Sequence, residues 1–478
     1  MRLILVFLLV YLSICAQLSA QNKQLLYDFT DIPDALMVNP GMLTDFEWYV
    51  GLPIISGVSV QAGSNAITVH DLFAADGLDF NDKVMDRMIY KLDENDHLSS
   101  TNQITLFNGG FRGRNLNDFY SFGIYSETDG IGYYFKDYAI LAIEGDSIQS
   151  PRSFNLNHLN TRAEMVNVFH FGINRKIDKK LTVGARAKIY SSVLNFTSTE
   201  NKGHFITTEG ERNLVANTLD ADLEVKTSGL NNIVDAWEND RSQLPGIVAR
   251  RMFFGGDLGF GADFGFTYHL NKKTVITGSI LDLGFVYNST DVKNYTLKGS
   301  ATIEGIEAIL PVAPSDADKD YWQVLVDDIN EMVPYSTNND SYITFRPTKL
   351  YGSLRYNFGK PIPSRRGYDC KDYVREGRGY DSYNNALGGQ LYVVNRPKGP
   401  QAALTAFYLH RFGNAMAIKT TYTVDKFSYS NIGVGLNLQA GPVNLYLMAD
   451  NLLAYNNLAD SHYASFQFGL NIISWGKK

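Results

Sequence analysis

Between Asp257 and Tyr268 the chain alternates without a break. Leu258, Phe260, Ala262, Phe264, Phe266 and Tyr268 stand against Asp257, Gly259, Gly261, Asp263, Gly265 and Thr267. A period of two puts the sets on opposite faces of a strand. The alternation returns at Leu181, Val183, Ala185, Ala187 and Ile189, which interleave with Arg186 and Lys188. It returns again at Ile432–Gln439 and at Tyr463–Ile472. Several of these runs reach ten residues or more, whereas strands of soluble sandwiches usually hold about five or six. A charge facing lipid at a bilayer midplane costs roughly 2–4 kcal/mol. The apolar face is therefore expected towards lipid and the polar face towards a lumen, which makes the fold an all-β transmembrane antiparallel β-barrel with short helices in its loops.

Turn lengths set the strand count. Ile177–Lys180, Asn271–Lys273, Gly413–Asn414 and Ala440–Pro442 are tight connections rich in Gly, Asn and Asp, the residues hairpins require. With both chain ends in the periplasm these become periplasmic turns, and residues 63–100, 197–251 and 288–340 become long extracellular loops. The same parity makes 359–385 a periplasmic insertion. Fourteen strands satisfy the count, or sixteen if Gly130–Phe135 and Ser153–Leu159 also join the wall. The barrel is expected over residues 46–478, with residues 21–45 as an N-terminal segment inside the lumen.

The first twenty residues add the compartment. Arg2, the apolar run Leu3–Cys15 and the small-residue end at Ala20 read as a cleaved Sec signal peptide, residues 1–20, and place the chain in the outer membrane. Only Cys370 then remains, so no intramolecular disulfide can form. No later stretch is long and apolar enough for a membrane helix. The net charge of −7 argues against nucleic acid as a partner. Aromatic side chains at strand ends suit the interfacial girdles of a barrel in outer-membrane lipid.

Several segments resemble an uncharacterised outer-membrane barrel family of Bacteroidota. These are Ile32–Gly41 with Trp48–Pro53 behind it, Leu281–Phe285, Arg346–Tyr351, and Gly441–Tyr446 running into Asp450–Asn451. The Asn39-Pro40 element is also similar to the start of FadL-like transporters and of the PorV and PorP/SprF barrels of type IX secretion. Trp475 close to the C-terminus resembles the signal read by the barrel-assembly machinery, which is the expected assembly partner. The resemblance implies an outer-membrane location and carries no catalytic residues.

Candidate chemistry is sparse. His170, Arg186, Lys188, Asp257, Asp263 and Arg355 fall on polar strand faces and are candidate lumen groups, expected to pair with one another. Asp316, Asp318 and Asp320 imitate the spacing of a calcium loop, but Tyr321 stands where that loop needs glycine. Ser315 with Asp318 reads instead as a helix cap, with Trp322, Leu325 and Ile329 on one helical face of Ser315–Val333. A similar helix is expected around Val84–Leu92. The insertion interleaves Arg365, Tyr373 and Arg378 with acidic residues, a composition suited to docking. No cofactor, metal or catalytic site is expected. These features point first to a scaffold or anchor for an envelope or cell-surface protein, linked to type IX secretion. The alternative is a FadL-like or porin-like channel for a small hydrophobic or polar solute.

Overall fold

The computed structural model describes residues 23–144, 151–210, 215–304, 335–362, 382–425, 431–452 and 457–475. The expected signal peptide, the Ser315–Val333 helix, and Trp322, Leu325, Ile329, Arg365, Tyr373 and Arg378 all lie outside these residues.

Fourteen antiparallel strands close into a barrel. In chain order, β1 runs as Trp48–Gly51 and Val58–Ser64, β2 is His97–Arg112, β3 Asp118–Tyr133, β4 Thr161–Lys176 and β5 Leu181–Ser198. Then come β6 Asp257–His269, β7 Thr274–Asn288, and β8 as Tyr342–Phe345 and Lys349–Ile362. The wall ends with β9 Ser382–Val394, β10 Gln401–Phe412, β11 Met416–Val424, β12 Asn431–Ala440, β13 Val443–Asp450 and β14 Tyr463–Ser474. Closure is made by β1, which pairs with β2 on one side and with β14 on the other (Trp48 opposite Ser474, Val60 opposite Phe466). A closed wall satisfies every strand edge, which is what hydrocarbon demands.

The period-two reading holds along the wall. On β6, Phe260, Phe264 and Phe266 are exposed while Asp257, Asp263 and Thr267 are buried inside. On β5, Ile189 faces out and Arg186, Lys188 and Tyr190 face in. Phe264→Arg is accordingly expected to cost about 2–4 kcal/mol, as a charge placed on the lipid face. Phe264→Leu should cost less than about 1.5 kcal/mol. Urea titration of the barrel in lipid vesicles measures both.

Sixteen strands do not form. Gly130–Tyr133 is the upper end of β3, and Ser153–Asn155 leaves the wall to pair with Lys202–Glu209. That strand belongs to an extension of the same sheet, built from the long loops at the rim away from the chain ends. It runs through Lys202–Glu209, Val215–Ser228, Val292–Glu304 and Tyr335–Asn338, and grafts onto the top of β5 at Asn195–Thr197. Residues 134–144 and 151–160 add further loop structure at this rim. Their helix Lys136–Glu144 packs with the helical stretch 80–90, where the sequence placed one, around Ile89, Leu92, Tyr134, Ile140 and Phe154. Of the expected insertion, residues 359–362 and 382–385 extend the β8–β9 hairpin (Pro361 opposite Tyr383). Its centre, residues 363–381, lies outside the described residues.

Candidate functional site

The lumen is filled from within by the chain's own N-terminal segment. Leu25, Tyr27, Phe29, Ile32, Leu36 and Val38 are all buried, packed against inward-facing Tyr351, Tyr392, Phe407, Tyr446 and Met448 of the wall. Tyr27 stacks on Tyr351 with ring centroids 4.8 Å apart. Each such side chain gains about 1.5–3 kcal/mol from leaving water.

Polar groups of the plug are met one by one by wall strands. Asp28 takes Arg355 (2.8 Å) and Ser353 (3.0 Å), and Asp31 takes Arg411 (2.8 Å). Asp34 accepts from Asn108 and from Asn471, each at 2.6 Å. Lys23 reaches Gln103, and Gln24 accepts from Thr405. Plug carbonyls are capped as well: Tyr27 by Lys419 (2.6 Å), Val38 by Ser279 (2.6 Å), and Leu36 and Met37 by Arg186. Buried carbonyls left unmet would each cost a few kcal/mol.

The Asn39-Pro40-Gly41 element has a geometric reason. Asn39 folds its side-chain oxygen onto the Gly41 amide (2.9 Å), while Asn174 donates to the carbonyls of Pro40 (2.8 Å) and Met42 (2.7 Å). The turn lies flat on Gly184 of β5 and Gly265 of β6, which are register partners. A Cβ on Gly184 would run into the Pro40 carbonyl, and one on Gly265 into the Asn39 side chain. Gly184→Leu is expected to lift the plug at a cost of about 1–3 kcal/mol. Limited proteolysis should then cut near Asn39, whereas Gly352→Ala, with open space around its Cβ, should leave the plug protected.

Above the plug lies a layer of buried ion pairs. Arg346 bridges Glu127 (2.7 Å) and Glu164. Lys349 joins Glu127 (2.9 Å) to Asp282 (3.1 Å), and Lys188 joins Asp282 (2.7 Å) to Asp263 (2.9 Å). Arg186 completes Asp263 at 3.0 Å, and Arg396 takes Asp129 at 2.5 Å. Arg162 also reaches Glu164 at 3.2 Å, so six bases meet five acids. Rings line it too: Arg346 lies over Tyr190 at 5.3 Å and Lys188 over Tyr125 at 5.9 Å.

Asp282 enters this layer through a bulge. Between β6 and β7 the register slips at Ala262/Phe264, and Asp282 takes a positive φ of 59°. Its amide donates to Asp263 (2.8 Å) instead of to a wall partner. Opposite, Pro347 interrupts β8, so the ladder lapses between Asp282–Gly284 and Arg346–Thr348 apart from the Arg346 amide on Gly284 (2.9 Å).

Of the lumen residues read from the sequence, Arg186, Lys188 and Asp263 meet in the ion-pair layer. His170 is buried beside Tyr125, and Arg355 holds the plug. Asp257 lies apart at the far rim, with Arg251 (2.9 Å) and the amides of Ser289 and Thr290 (2.7 Å each). Sequence reasoning missed Glu127, Asp129, Glu164, Asp282, Arg346, Lys349 and Arg396. Glu127 and Asp129 carried a signal, as charges two apart in an alternating strand. Asp282 and Arg346 carried none, because a bulge and a proline break reset the parity there.

Two small cavities beside Lys23 offer about 20 and 10 Å³ to the centre of a water molecule, room for about one water each. Among the described residues no group of three or more His, Cys, Asp or Glu side chains is placed to hold a metal.

Comparison with known proteins gives a family and a set of folds. A family model described as a family of unknown function (DUF5723) matches residues 40–450. No curated protein matches by sequence. Among solved structures, the toluene transporter TbuX of Ralstonia pickettii is similar at 10% identity and a TM-score of 0.39, covering 93% of each chain. A FadL homologue of Pseudomonas aeruginosa is similar at 8% identity and 0.38, covering 93% of this chain and 92% of its own. The toluene transporter TodX of Pseudomonas putida is similar at 10% and 0.36, covering 96% and 95%.

Proposed function

The chain belongs to this family of unknown function, DUF5723, and we propose that it is a gated outer-membrane channel for a small polar solute, with its N-terminal segment as the gate. One observation carries the reading: a wall of fourteen strands is closed by a segment that is not part of the wall. About eight strands already give an interior that side chains can fill, while sixteen to eighteen leave an aqueous channel. A barrel that served only as an anchor has no need of the larger bore or of a separate stopper. Displacing residues 23–38 would leave a passage about as wide as the plug now filling it.

The solute class follows from what that passage would show. Beside the rings of Tyr351, Tyr392, Phe407 and Tyr446, the polar groups Gln103, Glu127, Lys188, Arg355, Gln390, Thr405 and Lys419 would face it, with both signs of charge and two amides. This lining suits a small polar or zwitterionic molecule and penalises an apolar one, whose entry would strip water from these groups. The scaffold expected from the sequence drew on the loop helices, the long extracellular segments, the 359–385 insertion and the resemblance to secretion-associated barrels, and its candidate contact residues are Trp322, Leu325, Ile329, Arg365, Tyr373 and Arg378. All lie outside the described residues, and nothing in the described barrel favours that reading over transport.

The test is uptake by cells that lack their general porins and express this chain. Amino-acid-sized and sugar-sized solutes should enter faster than in cells without it, and toluene should show no gain. Uptake of toluene alone would overturn the polar assignment, and no gain for any solute would overturn transport.

A further inference from the structure

Two polar side chains stand on the wrong side of the wall. On β4, Glu164, Val166, Val168 and His170 point inward, so Asn167 shares the outward face with Phe169 and Phe171. On β5, Ser191 shares the outward face with Ile189 and is the direct partner of Asn167. Both should meet lipid, yet neither has any exposed surface.

They are covered by a turn from the long loop before β6. Residues Arg251–Gly255 come down outside the barrel, with Phe254 in the left-handed region (φ 65°). Asn167 donates to the Met252 carbonyl (2.9 Å) and Ser191 to the Arg251 carbonyl (2.7 Å), while the Phe254 amide donates back to Ser191 (3.0 Å). Two carbonyls and one amide of the turn are thereby met by the wall. The Arg251 side chain points the other way and pins the turn, donating to the Val193 carbonyl (2.7 Å) at a bulge of β5 and to Asp257 (2.9 Å).

What the turn leaves outside is apolar. Phe253 and Phe254 are half-exposed, and Phe254 stacks on outward-facing Phe169 with centroids 4.4 Å apart. The patch continues into Phe171, Ile189, Leu258 and Phe260, all exposed on neighbouring strands of the membrane belt. We propose that Met252–Phe254 is a membrane-inserted latch whose partner is the acyl chains of the outer leaflet, so that the long loop is moored in lipid beside the wall. The argument is continuity with the lipid-facing belt together with polarity. An aqueous loop would not spend its amide and carbonyls on two wall side chains and present phenylalanines outward, whereas in hydrocarbon each backbone group met by the wall is spared a cost of several kcal/mol.

The intact wild-type chain, reconstituted in phosphatidylcholine vesicles containing a phospholipid with a diazirine in its acyl chain, tests this directly. Photolysis followed by peptide mass spectrometry should place adducts on Phe253 or Phe254 as well as on Phe260, and none on Asp240 in the same loop. A nitroxide at Phe253→Cys, with Cys370→Ser, gives a second reading. It should be several-fold more accessible to oxygen than to a water-soluble nickel chelate, matching a label at Phe260→Cys. Adducts confined to Phe260, or a Phe253 label that behaves like one at Asp240→Cys, would overturn the proposal. Neither readout depends on transport, so a failed uptake experiment leaves it intact.

Discussion

A barrel lacking residues 24–38 conducts small polar solutes at least roughly tenfold faster than the intact chain, because the wall does not need the plug to close. Wall closure rests on β1 with β2 and β14, whose partners all lie between Trp48 and Ser474. The plug supplies no strand to that ladder. Its loss bares Arg355, Arg411 and Lys419, but water entering the lumen solvates them, and a solvated charge does not carry the penalty of a buried unpaired one. Liposome swelling reads the effect. Unchanged flux would mean that inward side chains alone shut the bore, as the ion-pair layer could if it collapsed onto the axis.

Arg346→Leu is the substitution with the largest expected loss of stability. Its guanidinium lies between Glu127 and Glu164, both buried, and Lys349 is left to serve Glu127 alone. Removing one partner of a buried pair typically costs about 3–5 kcal/mol, and here the two buried carboxylates are left with Lys349 on Glu127 (2.9 Å) and Arg162 on Glu164 (3.2 Å). Arg346→Lys should fall in between, because an ammonium cannot offer a planar fork to two carboxylates at once. Lys298→Leu, which breaks the exposed pair with Asp222, should leave stability unchanged within error. Urea titration in vesicles gives all three. A cost for Arg346→Leu no larger than that for Lys298→Leu would mean the layer is hydrated.

The wall was legible because its rule is local. At Asp257–Tyr268 or Leu181–Ile189 a period of two and a ban on charges towards lipid suffice to assign both faces. The tight turns then narrow the strand count to fourteen or sixteen, and the wall has fourteen. Ser153–Leu159 misled because a short extended run carries no record of which strand it joins, and it pairs outside the wall with Lys202–Glu209. The plug was legible as a location, since residues 21–45 precede the first strand. Its seat was not: Gly184 and Gly265 matter for what approaches them from far along the chain. The ion-pair layer was half legible for a related reason. Arg186 and Lys188 sit on strands of unbroken parity, whereas Asp282 and Arg346 reach the lumen only through a bulge and a proline break. Asn167 and Ser191 show the opposite failure. Their parity correctly points to the outside, and only the folded loop reveals why a polar pair is tolerated there.

The most direct test of the gate fixes the plug to the wall and follows transport. Asp34 and Asn108 are hydrogen-bonded at 2.6 Å across the plug–wall boundary. Asp34→Cys with Asn108→Cys, in a Cys370→Ser background, can be joined by a short thiol-to-thiol crosslinker in porin-deficient cells. Uptake of a small polar solute should proceed in the unlinked variant and fall to the level of cells without the barrel once the link is made. Equal uptake before and after linking would contradict the account, because the solute would then pass with the plug held in place.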